Sequence, residues 1–314
     1  MAVLILAYRR WENVEKIFSI LSENKDLTFY VHVDKGRDEA SEDDASFVYS
    51  KVSRYRDETG LNIQVSRPAL NQGIAVSMLA ALTRIFEDHT EIIILEDDCV
   101  PGAEFINFMI ESFKYLFNND SVALACGTQF AGREIVDAEW VLSRYPLNWG
   151  WGINRLAWTT VSGLLLSKQP LKYRRGGQLS RSEIDYWNAG SRRALEGFTD
   201  VWDTLLVREL IRHDLRVLLP GANLVQNNGD EEFATHTRGK QKWTRFPVGT
   251  FNKPRIEPEF STKLDIWLRR KLFRISKRHL ISTRITWLID RTGVRKKRMD
   301  LATRVQLAEV NFDL

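Results

Sequence analysis

Residues 92 to 102 read IIILEDDCVPG, an apolar run that ends in three consecutive carboxylates, Glu96, Asp97 and Asp98. A short, continuous apolar run of this kind describes a strand covered on both faces, as in parallel sheets whose crossover helices pack above and below. The acids therefore emerge at the end of a buried strand. Adjacent carboxylates repel one another, and removing one from water costs on the order of several kcal/mol unless a cation or hydrogen-bond donors compensate. A positive partner is expected at this point of the fold.

The rest of the first half repeats the strand-then-helix pattern. Short β-rich runs fall at 2–7, 28–33, 62–65, 91–95 and 122–125. Between them, WENVEKIFSILSEN places Val14, Ile17, Phe18 and Leu21 on one helical face, and NQGIAVSMLAALTRIFEDH carries Ile74, Met78, Ala81 and Ile85 in a stripe with Asn71 as its expected cap. A further helix, GAEFINFMIESFKYLF, follows the acids. The expected class is α/β, a mostly parallel sheet flanked by helices. In such sheets ligands bind beyond the carboxyl ends of the strands, where the three acids stand.

Composition narrows the possibilities. With 44% apolar and 27% charged residues over 314 positions, the chain can bury a large core. Its longest apolar runs, VLILAY and IIIL, fall far short of the roughly 20 residues that cross a bilayer, so no membrane span is expected. The first run has no basic residues ahead of it and no small-residue cleavage site, and reads as a strand rather than a signal peptide. Cys99 and Cys126 are the only cysteines, too few for a disulfide framework or a thiolate metal site. A reducing, cytoplasmic setting is the simplest expectation.

Charge is unevenly spread. Residues 262–314 hold 14 Lys or Arg against 5 Asp or Glu, net +9, while residues 1–261 hold 31 against 36, net −5. The body offers no excess positive charge to nucleic acid, and none is expected as a partner. Three of the eight prolines fall between Phe246 and Pro258, which reads as a linker. The expected organisation is a catalytic domain over 1–245 (halves 1–127 and 128–245), a linker over 246–261, and a basic amphipathic helical tail over 262–314. In that tail Ile266, Trp267, Leu268, Leu272, Phe273 and Ile275 interleave with Arg269, Arg270, Lys271 and Arg274. The tail fits a solvated helix pair, a nucleic-acid arm or an interfacial helix. The mixture favours the last, since anionic headgroups contribute about 1 kcal/mol per nearby basic residue.

A carboxylate pair at a strand end is an ordinary way to hold Mg²⁺ or Mn²⁺ against a phosphate, because these hard ions take one or two protein oxygens and further ones from substrate. The spacing alone is not specific. Receiver domains, haloacid-dehalogenase-like phosphatases and nucleotidyltransferases carry acids at the same place, and an exposed acidic turn needs no function at all. Further along, YPLNWGWGINRLAW gathers Trp149, Trp151 and Trp158 around Gly150 and Gly152. Tryptophan is a common core filler, but flat rings beside bare backbone also suit the face of a sugar.

Taken in order, LAYRRWENVEKIFSIL, VHVDKG, SRPALNQGIAVSMLAAL, ILEDDCVPGAEFINFM and WGWGINRLAW resemble the nucleotide-sugar glycosyltransferases of the GT-A fold. The resemblance is closest to bacterial cell-surface polysaccharide transferases, which share features with N-acetylglucosaminyltransferase I. It runs from about Val3 to about Arg238, and its most telling pair is LEDDCVP with ANLVQNNGDEEFATHT.

The resemblance implies a set of roles. Arg10, with Tyr8 and Arg9 beside it, would meet the donor nucleotide. Asp34 would bond a uracil, which points to a UDP-sugar, although Asp before Lys-Gly is also a common turn residue. Arg67, Asn71 and Gly73 would contact the nucleotide, and Trp151 and Gly152 would belong to the donor site. Asp98 would ligate Mn²⁺ or Mg²⁺, with Glu96 and Asp97 on the ribose, the sugar or the waters of the metal. His236 would stand near metal and diphosphate. Asp203 in TDVWDTLL would be the catalytic base, with Asp200 in reserve. The same acids also mark a helix start capped by Thr199 or Asp200, where the dipole favours the charged form.

The expected function is transfer of a sugar, with inversion, from a nucleotide diphosphate donor to a glycan or lipid-linked saccharide in cell-surface polysaccharide synthesis. The expected location is the inner face of the plasma membrane, reached peripherally through the tail. The alternatives are a non-catalytic sugar-nucleotide-binding or scaffold protein on the same fold, and a sugar nucleotidyltransferase. The latter would be marked by a glycine-rich segment after the first strand, which is not seen.

Overall fold

The structure, a computed structural model, describes residues 1–173, 179–229, 246–276, 285–292, 298–308 and 310–312. The first half alternates β1 (Ala2–Ala7), α1 (Trp11–Leu21), β2 (Thr28–Val33), α2 (Glu39–Thr59), β3 (Ile63–Ser66), α3 (Ile74–Asp88), β4 (Glu91–Glu96), β5 (Cys99–Pro101), α4 (Phe105–Phe117) and β6 (Val122–Cys126). The second half continues with β7 (Trp140–Ser143), β8 (Trp151–Asn154), α5 (Arg155–Leu165), α6 (Arg181–Leu195), α7 (Asp203–Arg212), β9 (Arg216–Pro220) and β10 (Val225–Asn227).

Eight strands form one sheet in the order β3-β2-β1-β4-β8-β6-β9-β7, and β10 pairs with β5 in a small second sheet. The neighbours β3, β2, β1 and β4 run parallel, as do β6 and β9. Two strands break the rule: β8 lies antiparallel between β4 and β6, and β7 lies antiparallel beside β9. The α/β class with a mostly parallel, helix-covered sheet is therefore the one expected from the sequence.

Helices bury both faces of the sheet. On one, α3, α5 and α7 bring Met78, Leu82, Trp158 and Leu206 onto Leu4, Ile94 and Leu124. On the other, α1, α2 and α4 bring Phe18, Val48, Phe108 and Met109 onto Ile5, Val31 and Ile93. The local signals agree with this layering. Helix α2 starts on a capping box between Asp38 and Ser41 and stops at Gly60, whose φ of 65° closes the last turn. Helix α6 starts on another, between Ser180 and Glu183.

The C-terminal part differs from the linker and tail expected. Where described, it is built into the body. Leu142 of β7 donates to the Glu259 carbonyl at 2.9 Å and accepts from the Ser261 N–H at 3.0 Å. The next helix, Thr262–Trp267, and the π-helical turn Leu268–Leu272 send Leu264 and Leu268 into the core. Buried Asp265 accepts from the Ser143 hydroxyl at 2.8 Å and from the Arg144 N–H at 3.1 Å. Further on, Arg298 donates its N–H to the Gly197 carbonyl at 3.1 Å, and Phe312 meets Tyr30 edge-on with ring centroids 5.0 Å apart. Of the interleaved apolar residues, Leu268 and Ile275 lie in the protein's own core and Trp267, Leu272 and Phe273 pack against it, while Ile266 stays exposed, so the periodicity is not by itself a mark of an interfacial helix.

Candidate active site

At the carboxyl end of β4 the three acids part company. The backbone N–H of Asp97 donates to Leu6 of β1 at 3.0 Å, which turns its side chain toward the loop between β1 and α1. One carboxylate oxygen of Asp97 accepts from the N–H groups of Tyr8 and Arg9, at 2.8 and 3.0 Å, and the other accepts from Arg10 Nη1 at 2.9 Å. Asp97, 5% exposed, is thus committed to holding that loop. Arg10, expected on a nucleotide, has its Nη1 on Asp97, while its buried Nε has no hydrogen-bond partner among the described residues.

Glu96 and Asp98 are partly buried and, among the described residues, form no ion pair. Burial, and then the charges of Asp98, Asp97 and Asp203, push the Glu96 carboxyl up to about 8, against some relief from Arg10. Burial and the charge of Asp97 raise Asp98 as well, opposed by the Cys99 thiol, Arg10 and Asn227. Two acids that resist ionisation side by side mark a place where negative charge exceeds what the protein neutralises. No three His, Cys, Asp or Glu side chains converge into a ready-made cage among the described residues. A hard divalent ion that completes its shell with phosphate and water needs only one or two carboxylates, and Glu96 with Asp98 fits that requirement. His236, the other expected ligand, lies outside the described residues.

The segment that follows β10 closes over Asp98. Asn227 of β10 pairs with Cys99, the Asn228 N–H donates to the Asp98 carbonyl at 2.7 Å, and the Cys99 thiol donates to Asp98 Oδ1 at 3.0 Å. Gly229 passes so close that a Cβ there would lie 2.6 Å from Asp98 Oδ2. Asn13 of α1 completes the clasp: its Nδ2 donates to the Asp97 carbonyl at 2.9 Å, and its Oδ1 accepts from Asn228 at 3.1 Å. The two segments read together in the sequence, LEDDCVP and ANLVQNNG, are in direct contact.

Asp34, Asn71 and Gly73 form one knot. The Asp34 carboxylate accepts from the N–H groups of Lys35, Gln72 and Gly73 and from Asn71 Nδ2, at 2.7 to 3.0 Å, which uses the roughly four lone-pair positions a carboxylate has. Burial raises its pKa against these donors. Asn71 is not the helix cap it was expected to be. The cap of α3 is Gly73, with φ 76°, and Asn71 instead bridges Asp34 and the Lys35 carbonyl. Arg67 is engaged with Glu42 and Ser46 of α2, both at 2.8 Å, and Tyr8 accepts from the Arg37 N–H at 3.3 Å.

Trp151 and Gly152 require a correction. They were expected at the donor, but they form β8 inside the main sheet. Trp151 is 1% exposed with its ring stacked on Trp202 at 5.2 Å, and a Cβ on Gly152 would meet Phe113 at 2.8 Å. Both are core residues, because an antiparallel strand between β4 and β6 has no face left for a ligand.

Asp203 is exposed at the first position of α7, directly after Trp202, and its charge reaches Glu96. Neither Thr199 nor Asp200 caps this helix; the cap position is Trp202, with no side-chain bond. Asp200 is instead buried against Gly73, where a Cβ would lie 2.0 Å from its Oδ2. Sequence reasoning missed Asn13, Asn228 and the arginines that surround Asp200, none of which stands inside a recognisable pattern.

No protein-family model matches the chain, and no curated protein sequence matches it. Among solved structures it is similar to the galactosyltransferase LgtC in complex with donor and acceptor sugar analogues, at 16% identity over 55% of this chain and 67% of that one, TM-score 0.30. It is also similar to mouse xyloside xylosyltransferase 1, at 12% identity over 68% and 84% of the chains, TM-score 0.32. A third is the inositol-1-phosphate CTP transferase from T. maritima, at 10% identity over 70% and 84%, TM-score 0.35. Likenesses this distant carry no argument about chemistry, which rests on the residues described above.

Proposed function

We propose that this chain is a metal-dependent, inverting glycosyltransferase that moves a sugar from a nucleoside diphosphate donor, a UDP-sugar, to a glycan or lipid-linked saccharide in cell-surface polysaccharide synthesis. The observation that carries the reading is the pair Glu96 and Asp98 at the carboxyl end of β4, partly buried together and without an ion pair among the described residues. In this reading Asp98, with Glu96, holds Mn²⁺ or Mg²⁺. When bound, such an ion supplies positive charge for the diphosphate leaving group.

The other residues act directly. Asp97 and Arg10 fix the loop from Tyr8 to Arg10 against the acids. Asp203 accepts the proton of the acceptor hydroxyl as that oxygen bonds the anomeric carbon and the diphosphate departs. Trp202, stacked on Trp151, holds the start of α7 in place. A single displacement inverts the anomeric centre.

Incubation of a panel of nucleotide sugars with Mn²⁺ tests the reading. Slow hydrolysis of a UDP-sugar, and an inverted product in proton NMR once an acceptor is found, are the expected results. Release of pyrophosphate from a nucleoside triphosphate and a sugar 1-phosphate would favour a nucleotidyltransferase instead, and metal-dependent UDP binding without any turnover would favour a binding protein.

The site of action proposed is the cytoplasmic leaflet, held peripherally. No helix of the described residues is long and apolar enough to cross a membrane. Exposed Ile266, Trp287 and Leu288 accompany exposed Arg270, Lys271 and Arg274, a composition suited to anionic headgroups. Because Leu264 and Leu268 belong to the core, the test is substitution of Arg270, Lys271 and Arg274 by Ser rather than deletion. Cosedimentation with anionic liposomes should fall, and unchanged binding would reject the membrane role.

A further inference from the structure

We propose that Arg37, Arg298 and Arg304 form an anion subsite at the rim of the candidate active site that takes a phosphate group of a bound ligand. The three guanidiniums come from distant parts of the chain and converge on one buried carboxylate, Asp200. Arg298 Nη1 lies 3.2 Å from Asp200 Oδ2, Arg37 Nη2 lies 3.7 Å from the same oxygen, and Arg304 Nη2 lies 3.7 Å from Oδ1.

The cluster gathers more positive charge than its structural role uses. Among the described residues, only Arg298 makes a hydrogen bond to Asp200, whose buried Oδ1 receives none. Arg304 gives its Nη2 to the Gln72 carbonyl instead. One guanidinium would suffice to staple the C-terminal segment to this loop; the others add like charge. Asp34 is the other acid whose charge reaches Arg304, and its oxygens are already taken by four donors. Asp38 stands near Arg37 but is spent on the α2 cap. Burial, with the charges of Arg298 and Arg37, lowers the pKa of Arg304 against the pull of Asp200 and Asp34.

Placement and access agree with a ligand. The Arg37 N–H reaches the Tyr8 hydroxyl, Asp200 abuts Gly73, and Asp203 begins α7 three residues later. The side chains of Arg37 and Arg298 are 38% and 43% exposed, so their forks can turn from Asp200 to a planar or tetrahedral oxyanion. The phosphate could come from the diphosphate of the donor or from a phosphate that links an acceptor to its carrier. That assignment rests on the proposed function, whereas the anion site does not.

The test is isothermal titration of the full chain with inorganic pyrophosphate in EDTA, so that no divalent ion mediates binding. The wild type should bind saturably, and Arg37→Gln/Arg298→Gln should bind about tenfold or more weakly, with Arg298→Lys retaining part of the affinity. Melting temperatures check that the double variant is folded; should it unfold, the single Arg37→Gln, the more peripheral change, carries the comparison. In a second titration with Mn²⁺ present, displacement of pyrophosphate by UDP assigns the subsite to the donor, and simultaneous binding assigns it to the acceptor. Absence of saturable binding to the wild type overturns the proposal, as does an equal loss from Arg270→Gln/Lys271→Gln on the C-terminal segment. If pyrophosphate binds and UDP does not bind even with Mn²⁺, the proposed function falls and the subsite stands.

Discussion

The carboxylate of Asp97 and the guanidinium of Arg10 meet at 2.9 Å between the end of β4 and the first loop, and both side chains are largely withdrawn from water. The same carboxylate holds two backbone N–H groups, so its removal strands a buried charge and two donors together. Asp97→Ala is expected to destabilise the fold by about 3–5 kcal/mol. Asp97→Asn, which keeps an acceptor for the N–H groups, should lose less. Denaturant unfolding of the two variants checks this, and a near-wild-type Asp97→Ala would mean that the residue is not the lock of the loop.

Gly73 stands at φ 76°, and a side chain there would run into Asp200 Oδ2 at 2.0 Å. Gly73→Ala should therefore cost more than the roughly 1–2 kcal/mol of a left-handed residue alone, because Asp200 must also move. The knot around Asp34 should loosen with it. A fall in melting temperature together with faster amide exchange at Gln72 and Gly73 is the expected result.

Apart from α2, the strands and helices that carry the parallel half were legible because each shows an apolar stripe or run. The expected 91–95 and 122–125 differ from β4 and β6 by one residue at the C-terminal end. Helix α2 was not legible: EASEDDASFVYSKVSRYRDET buries only Ser41, Ala45, Val48 and Val52, too narrow a stripe to stand out. Strand β8 was read as a sugar platform because Trp-Gly-Ile-Asn has no alternation to show, being buried on both faces with a glycine at its centre. At the site, the acids were legible as a cluster, but their division of labour was not. Whether an acid is a lock, as Asp97 is, or has no ion pair among the described residues, as with Glu96 and Asp98, depends on the N–H groups of a loop some ninety residues away.

Asp203 is exposed, so its replacement should leave the fold alone and act on turnover. If it takes the acceptor proton, Asp203→Asn should lower kcat by about 10²–10⁴ with the donor KM little changed. Asp200→Asn, which alters a buried ion-pair cluster, should instead move the melting temperature. A comparison of steady-state kinetics and thermal melts for the two variants separates base from scaffold.

His32 in β2 is 1% exposed, with Nδ1 3.3 Å from Ser66 Oγ, and burial lowers its pKa from 6.5 to about 4. Between those values the unfolded chain binds a proton that the fold refuses. The stability from this residue is therefore complete above pH of about 6.5 and is lost as the pH falls toward about 4, on the order of 3 kcal/mol in full. Melting curves from neutral to acid pH should drop more steeply for the wild type than for His32→Gln. Parallel curves would contradict the shift.

The most direct measurement is calorimetric titration of UDP into the protein with and without Mn²⁺, for the wild type and for Asp98→Asn. Binding that needs the ion in the wild type, and that disappears with Asp98→Asn while the variant stays folded, is the predicted result. Equal UDP binding with and without Mn²⁺, or binding untouched by Asp98→Asn, would contradict the claim that the acids at the end of β4 hold a metal for a nucleotide diphosphate.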